Sequence, residues 1–175
     1  LELGRRTLGD QQGRLRWVDL DLRSPDLEQV LATGGPGFDA AVSTTALHWL
    51  APAEQVLLFQ RLARLLRPGG VFMNGDHLSF GPDQPRLSAV AAHLDGQSGP
   101  AAEPAETWAE WWQAVESEPG FEALVQERRR RWGGHPDHHT HGEADFMRAA
   151  LVRAGFAEAG TAWQHLQDRI LVGIR

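Results

Sequence analysis

The 175-residue chain contains no cysteine, no lysine and no tyrosine. Without cysteine there are no disulfides, no thiolate metal sites and no cysteine nucleophile. All 17 cationic residues are arginine. With so much alanine alongside, this reads as coding bias rather than as a functional choice. No apolar run approaches the roughly 18 residues of a membrane-spanning helix, so no membrane partner is expected. The formal net charge is −6, which weighs against a nucleic-acid partner. Residue 1 is leucine, and Met73 and Met147 are the only methionines. The chain is therefore expected to come from a longer reading frame. The N-terminus carries no signal-peptide pattern, and a cytoplasmic location is the expectation.

What is present suffices for one domain with a real core. Residues 1–8 read as a helix end, with Gly9 suited to a C-cap. Leu15–Leu20 is a strand candidate. Ser24-Pro25 opens a helix carrying Leu27, Val30 and Leu31. Phe38–Ser43 is a second strand candidate with little polar content, as in a sheet buried on both faces. Pro52–Leu66 is an amphipathic helix stopped by Arg67-Pro68-Gly69-Gly70, and Val71–Asn74 follows as a third strand. Strand, helix, strand, helix, strand is the pattern of an α/β fold with a parallel sheet.

Beyond residue 80 the character changes. Leu87, Val90, Ala91 and Leu94 share one helix face. Residues 95–104 read as a loop. Trp108, Trp111, Trp112 and Val115 repeat at helical spacing, and Phe121, Leu124, Val125 and Trp132 continue on a second helix. Thr140 and Glu143 form a capping box before a helix ending at Gly155. Thr161–His165 and Arg169–Ile174 read as an antiparallel hairpin. No internal repeat is visible.

Four segments together resemble class I S-adenosylmethionine-dependent methyltransferases: RLRWVDLDLRSPDL (14–27), FDAAVSTTALHWL (38–50), LARLLRPGGVFMNGDHL (62–78) and MRAALVRAGFAEAG (147–160). The resemblance covers 14–78 and 145–175 well and 80–143 poorly. It implies a Rossmann-like methyltransferase sheet, mostly parallel with a C-terminal antiparallel hairpin. Residues 80–143 are then a helical insertion forming a lid or substrate region within one incomplete domain, 1–175. The family's glycine-rich cofactor loop and the strands around it have no counterpart here. The glycines at 34–37 precede a strand rather than open a helix, so their amides make no cradle. Without those strands, Phe38–Ser43 is expected at an open edge and Leu15–Leu20 apart from its neighbour. The lost apolar contact, about 150–200 Å², is worth about 4–5 kcal/mol at ~25 cal/mol/Å². The chain alone is expected to be marginally stable and to bind cofactor poorly.

The resemblance also assigns candidate residues. Asp21 and Leu22 match the pair that holds the adenine, the acid as a pure acceptor and the leucine against the ring; the plain alternative is a surface acid before a helix. Ser43 and Thr44 flank the sulfonium side, or serve ordinary turn chemistry. His48 is the candidate base, since imidazole ordinarily titrates near neutrality; alternatively it caps a helix or packs on Trp49. Asn74, Asp76 and His77 end the third strand facing the acceptor side, or form a solvated loop; Trp49, next to His48, is a further candidate for contact with the substrate.

Two tempting clusters carry bland readings. The histidines at 135, 138, 139 and 141 fit no standard ligand spacing, so no metal is expected. Arg128–Arg131, near Glu116 and Glu127, reads as a salt-laced exposed face. The function implied is methyl transfer from S-adenosylmethionine to a small-molecule acceptor. The alternatives are a cofactor-less remnant or an interaction module completed by another chain, and a hydrolase using the histidine-rich stretch. The sequence leaves the acceptor and the oligomeric state open.

Overall fold

A computed structural model describes residues 1–32, 35, 37–98, 106–132 and 142–175. The apolar segments become five strands: β1 (Phe38–Thr44), β2 (Leu66–Ser79), β3 (Gly142–Glu143), β4 (Glu158–His165) and β5 (Asp168–Ile174). Their order is β1-β2-β5-β4, with β3 paired to the far end of β2. β1 runs parallel to β2, placing Ser43 beside Asn74. β5 lies antiparallel between β2 and β4. Four strands thus point one way and β5 alone opposes them, which is the Rossmann-like sheet with a closing hairpin that the sequence implied.

One face of this sheet is covered. Helix α3 (Pro52–Leu65) buries Leu58, Phe59 and Ala63, and helix α7 (Ala144–Ala154) buries Met147, Ala150 and Leu151. Both helices join a core with Phe72 of β2 and Leu171 of β5. The rings of Phe59, Phe72 and Phe156 form its spine, with centroids 5.6 and 6.0 Å apart. α3 passes into β2 at Leu66, and α7 stops at Gly155, whose φ of 110° is the left-handed cap that glycine adopts without strain.

The other face corrects the sequence reading. Phe38–Ser43 is not buried on both sides: Val42 is 66% exposed, and Trp163 and Ile170 lie open on the same side. Both α3 and α7 take the opposite face, so apolar content here reflects the strand's character and not its cover. β1 is an edge strand among the described residues, as expected. Leu15–Leu20 is not a strand. Its segment is held instead by side chains, Trp17 Nε1 donating to Gly9 O (2.8 Å) and Arg16 to Val30 O (2.8 Å). With no neighbouring ladder, its backbone groups have nothing to form a strand with.

Other boundaries move for local reasons. α1 (Glu2–Leu8) ends at Gly9 with φ 63°, and buries none of its residues. α2 (Leu27–Leu31) begins after Asp26, later than Ser24-Pro25 suggested, because Ser24 closes a turn onto Leu27 N instead. α4 (Pro85–Ser98) buries Ala91 but leaves Leu87, Val90 and Leu94 exposed, so its apolar stripe is not a core face. α5 (Trp108–Ser117) and α6 (Glu122–Trp132) follow, with Thr107 capping α5 through Glu110 N. The arginine run pairs as expected: Arg128 and Arg129 with Glu116, Arg130 and Arg131 with Glu127. Hydrogen bonds from Arg130 and Arg131 bring the Glu127 carboxyl down to about 2. Thr140 and the four histidines between 135 and 141 lie outside the described residues; α7 begins at Ala144 after Glu143. Among the described residues, no helix is long and apolar enough to cross a membrane.

α2 is tied to α3 by a bidentate pair, Arg64 Nε and Nη2 donating to Glu28 at 2.8 and 2.6 Å. Hydrogen bonding from Arg64 holds the Glu28 carboxyl below its ordinary value. A carboxyl lowered on folding stabilises above its unfolded pKa, and the gain is lost as pH falls through the folded one. Arg64→Ala is therefore expected to cost about 0.5 kcal/mol at neutral pH, as exposed pairs do. The difference in melting temperature from wild type should vanish in acid, and a constant difference would count against the pair.

Candidate active site

The carboxyl ends of β1 and β2 lie side by side, where parallel sheets usually place their ligands. After β1 the chain turns through Thr45, whose φ of 46° is uncommon for a β-branched residue. Its N–H donates to Gly75 O of β2 at 2.9 Å, which holds the bend. Strained backbone of this kind costs about 1–3 kcal/mol and gathers at functional sites. The bend leads into a single 3-10 turn, Leu47–Trp49.

That turn carries His48 and is fixed from beneath. Gln55, buried on α3, donates from Nε2 to both Leu47 O and Leu50 O at 3.0 Å. The sequence reading missed this residue; a polar side chain on the apolar face of an amphipathic helix was the available signal. His48 Nδ1 lies 2.8 Å from Asp76 Oδ1, which also accepts from His77 N at 3.0 Å. The Asp76 side chain is fully buried and that of His48 is 18% exposed. A carboxylate facing Nδ1 favours the tautomer in which Nδ1 donates and Nε2 is the accepting nitrogen. The Trp49 ring stands beside the imidazole, centroids 5.1 Å apart.

The pleat divides the other candidates. Side chains alternate along a strand. Ser43, Asn74 and Asp76 accordingly face the covered side, whereas Thr44 and His77 face the open one. The sequence grouped Asn74, Asp76 and His77 as one cluster; the structure separates His77, which pairs with Asp168. Thr44 and His77 line a shallow depression of about 250 Å³ with Trp163 and Ile170. On the covered side, Ser43 Oγ, Asn74 Oδ1 and Asp76 Oδ2 are buried with no hydrogen-bond partner. Among the described residues, the partner of Asn74 Nδ2 is the Met147 sulfur, at 3.9 Å.

Asp21 and Leu22 sit in the turn before α2. Asp21 accepts from Arg23 Nη2 at 2.7 Å and from Arg23 N at 2.8 Å, and remains about half exposed. Leu22 is 39% exposed. Arg61 of α3 holds this turn by donating to Ser24 O at 2.8 Å. The pair thus offers an acidic acceptor and an apolar contact, the kinds of group an adenine amino group and ring can meet. No described residue provides a glycine cradle for the methionine portion.

Comparison with known proteins agrees with this anatomy. A family model described as a methyltransferase domain matches residues 5–74. Among solved structures, an O-methyltransferase family protein from Burkholderia thailandensis superposes with a TM-score of 0.56 at 16% identity, over 99% of this chain and 40% of its own. SibL, an S-adenosylmethionine-dependent methyltransferase in its apo form, gives 0.55 at 15% identity over 99% and 40%. PigF with SAH gives 0.54 at 17% identity over 99% and 38%. The chain thus spans well under half the length of these structures. No curated protein matches it. Residues 5–74 therefore resemble a methyltransferase domain, and the chain shares the fold of these structures.

Proposed function

We propose that this domain takes part in methyl transfer from S-adenosylmethionine to a small-molecule acceptor. The cosubstrate supplies an electrophilic methyl on a sulfonium, whose carbon–sulfur bond breaks as the acceptor's bond to carbon forms. Asp21 and Leu22 hold the adenine, while Ser43 and Thr44 lie on the sulfonium side. His48 takes the acceptor's proton at Nε2 while Asp76 holds Nδ1. Trp49 and Asn74 stand beside the acceptor, and His77 contributes from the opposite face. The helices α4–α6 form the lid region.

The single observation that carries this reading is the His48–Asp76 pair at the carboxyl ends of two parallel strands. A histidine that merely packed on Trp49 needs no buried carboxylate on its far nitrogen. In equilibrium dialysis with radiolabelled S-adenosylmethionine, S-adenosylhomocysteine should compete and ATP should not. Asp21→Ala should weaken binding about tenfold, near the ~1.5 kcal/mol of a hydrogen bond to a charged group. Equal competition by ATP, or an unchanged Asp21→Ala variant, contradicts the assignment.

A further inference from the structure

Arg169 is the most anomalous side chain among the described residues. It is the second residue of β5, directly opposite Asp76 in the ladder, and is only 8% exposed. Its Nε and Nη2 are buried and neither has a hydrogen-bond partner. Its guanidinium lies over the Phe80 ring, 4.4 Å from the centroid. Asp76 Oδ1 is taken up by His48, and among the described residues no ion pair joins Asp76 to Arg169. The carboxylate of Asp145 acts on it only through the Coulomb field, and burial draws the guanidinium pKa below its usual value. A buried cation with unmet donors is costly unless something is meant to meet them.

Nε and Nη2 are the two donors on one edge of the guanidinium. That edge is the fork that grips a carboxylate through two parallel bonds. Phe80 covers a face of the ion and not this edge. Asn74 and Ser43 add unmet polar atoms along the same sheet face. A singly charged carboxylate suits the site better than a phosphate dianion, since Asp76 and Asp145 already place negative charge nearby.

We propose that Arg169 is the recognition residue for a carboxylate on the methyl acceptor. The acceptor is then a small organic acid whose nucleophilic O–H reaches His48 while its carboxylate meets Arg169, which stands one strand spacing (~5 Å) from Asp76, the partner of His48. This rests on the methyl-transfer reading for the second half of the acceptor, but not for the anion site itself.

The test follows the Arg169 Nε–H resonance by NMR in the full chain, with benzoate, benzyl alcohol and inorganic phosphate as probes. Benzoate should shift the resonance saturably, with benzyl alcohol inert and phosphate at least fivefold weaker. Arg169→Lys should weaken benzoate binding severalfold, since the charge remains and the fork is lost. Arg169→Met should abolish binding and keep or raise Tm, because it removes an unpaired buried cation. Equal responses to benzoate and benzyl alcohol overturn the proposal. So does an Arg169→Met variant melting several degrees lower, the sign of a structural arginine. A site filled by water alone shows no benzoate shift, with the same consequence. The two readings fail separately: a benzoate shift without S-adenosylhomocysteine binding near Asp21 sinks methyl transfer alone, and the reverse sinks the carboxylate site alone.

Discussion

Phe59→Ala is expected to bring the domain close to unfolding. Phe59 is fully buried between α3 and β2, with its ring against Phe72. Phenylalanine-to-alanine changes at such sites cost about 3–5 kcal/mol, part transfer and part cavity. Total stabilities are usually about 5–15 kcal/mol. This chain is expected at the low end, since Val42, Trp163 and Ile170 remain open on the uncovered sheet face. Urea unfolding followed by circular dichroism should show the midpoint falling steeply, with Phe59→Leu recovering most of the loss. A loss below about 1 kcal/mol in the alanine variant would mean that the α3–sheet contact is not the core.

The second large effect concerns the reaction. His48→Ala should lower the rate of methyl transfer by about 10²–10⁴, the usual contribution of a positioned acid–base group. Binding of S-adenosylmethionine should change little, because the proposal places His48 against the acceptor and not the cosubstrate. Asp76→Asn keeps the shape and loses the acceptor-only carboxylate, so the imidazole can adopt either tautomer; its rate should fall between wild type and His48→Ala. Single-turnover transfer across a pH series reads both variants. A His48→Ala rate within threefold of wild type, with an unchanged pH profile, removes the base from the account.

Much of the framework was legible in the sequence because it rests on local signals. The apolar face of α3, the left-handed Gly155 and the period-two pattern of the closing hairpin each follow from a few neighbouring residues. Leu15–Leu20 shows the limit of such signals: its composition suits a strand, but a strand exists only against a partner, and none of the described residues supplies one. The stripe on α4 fails in the same way, since periodicity identifies a face without saying what covers it. At the site, Asp76 and His48 were each visible as candidates. Their contact was not, because 28 residues and the β1–β2 register separate them. Arg169 was readable in principle. Alternation from Leu171 and Gly173 places it on the inward face, and an arginine at an inward position of an apolar strand is itself the signal.

Chemical-shift mapping with S-adenosylhomocysteine at millimolar concentration tests the central claim most directly. Perturbations gathered at Asp21, Leu22, Ser43 and Thr44, and fading toward α6, are the predicted result, however weak the binding. Perturbations absent, or centred away from the carboxyl ends of β1 and β2, would contradict the account.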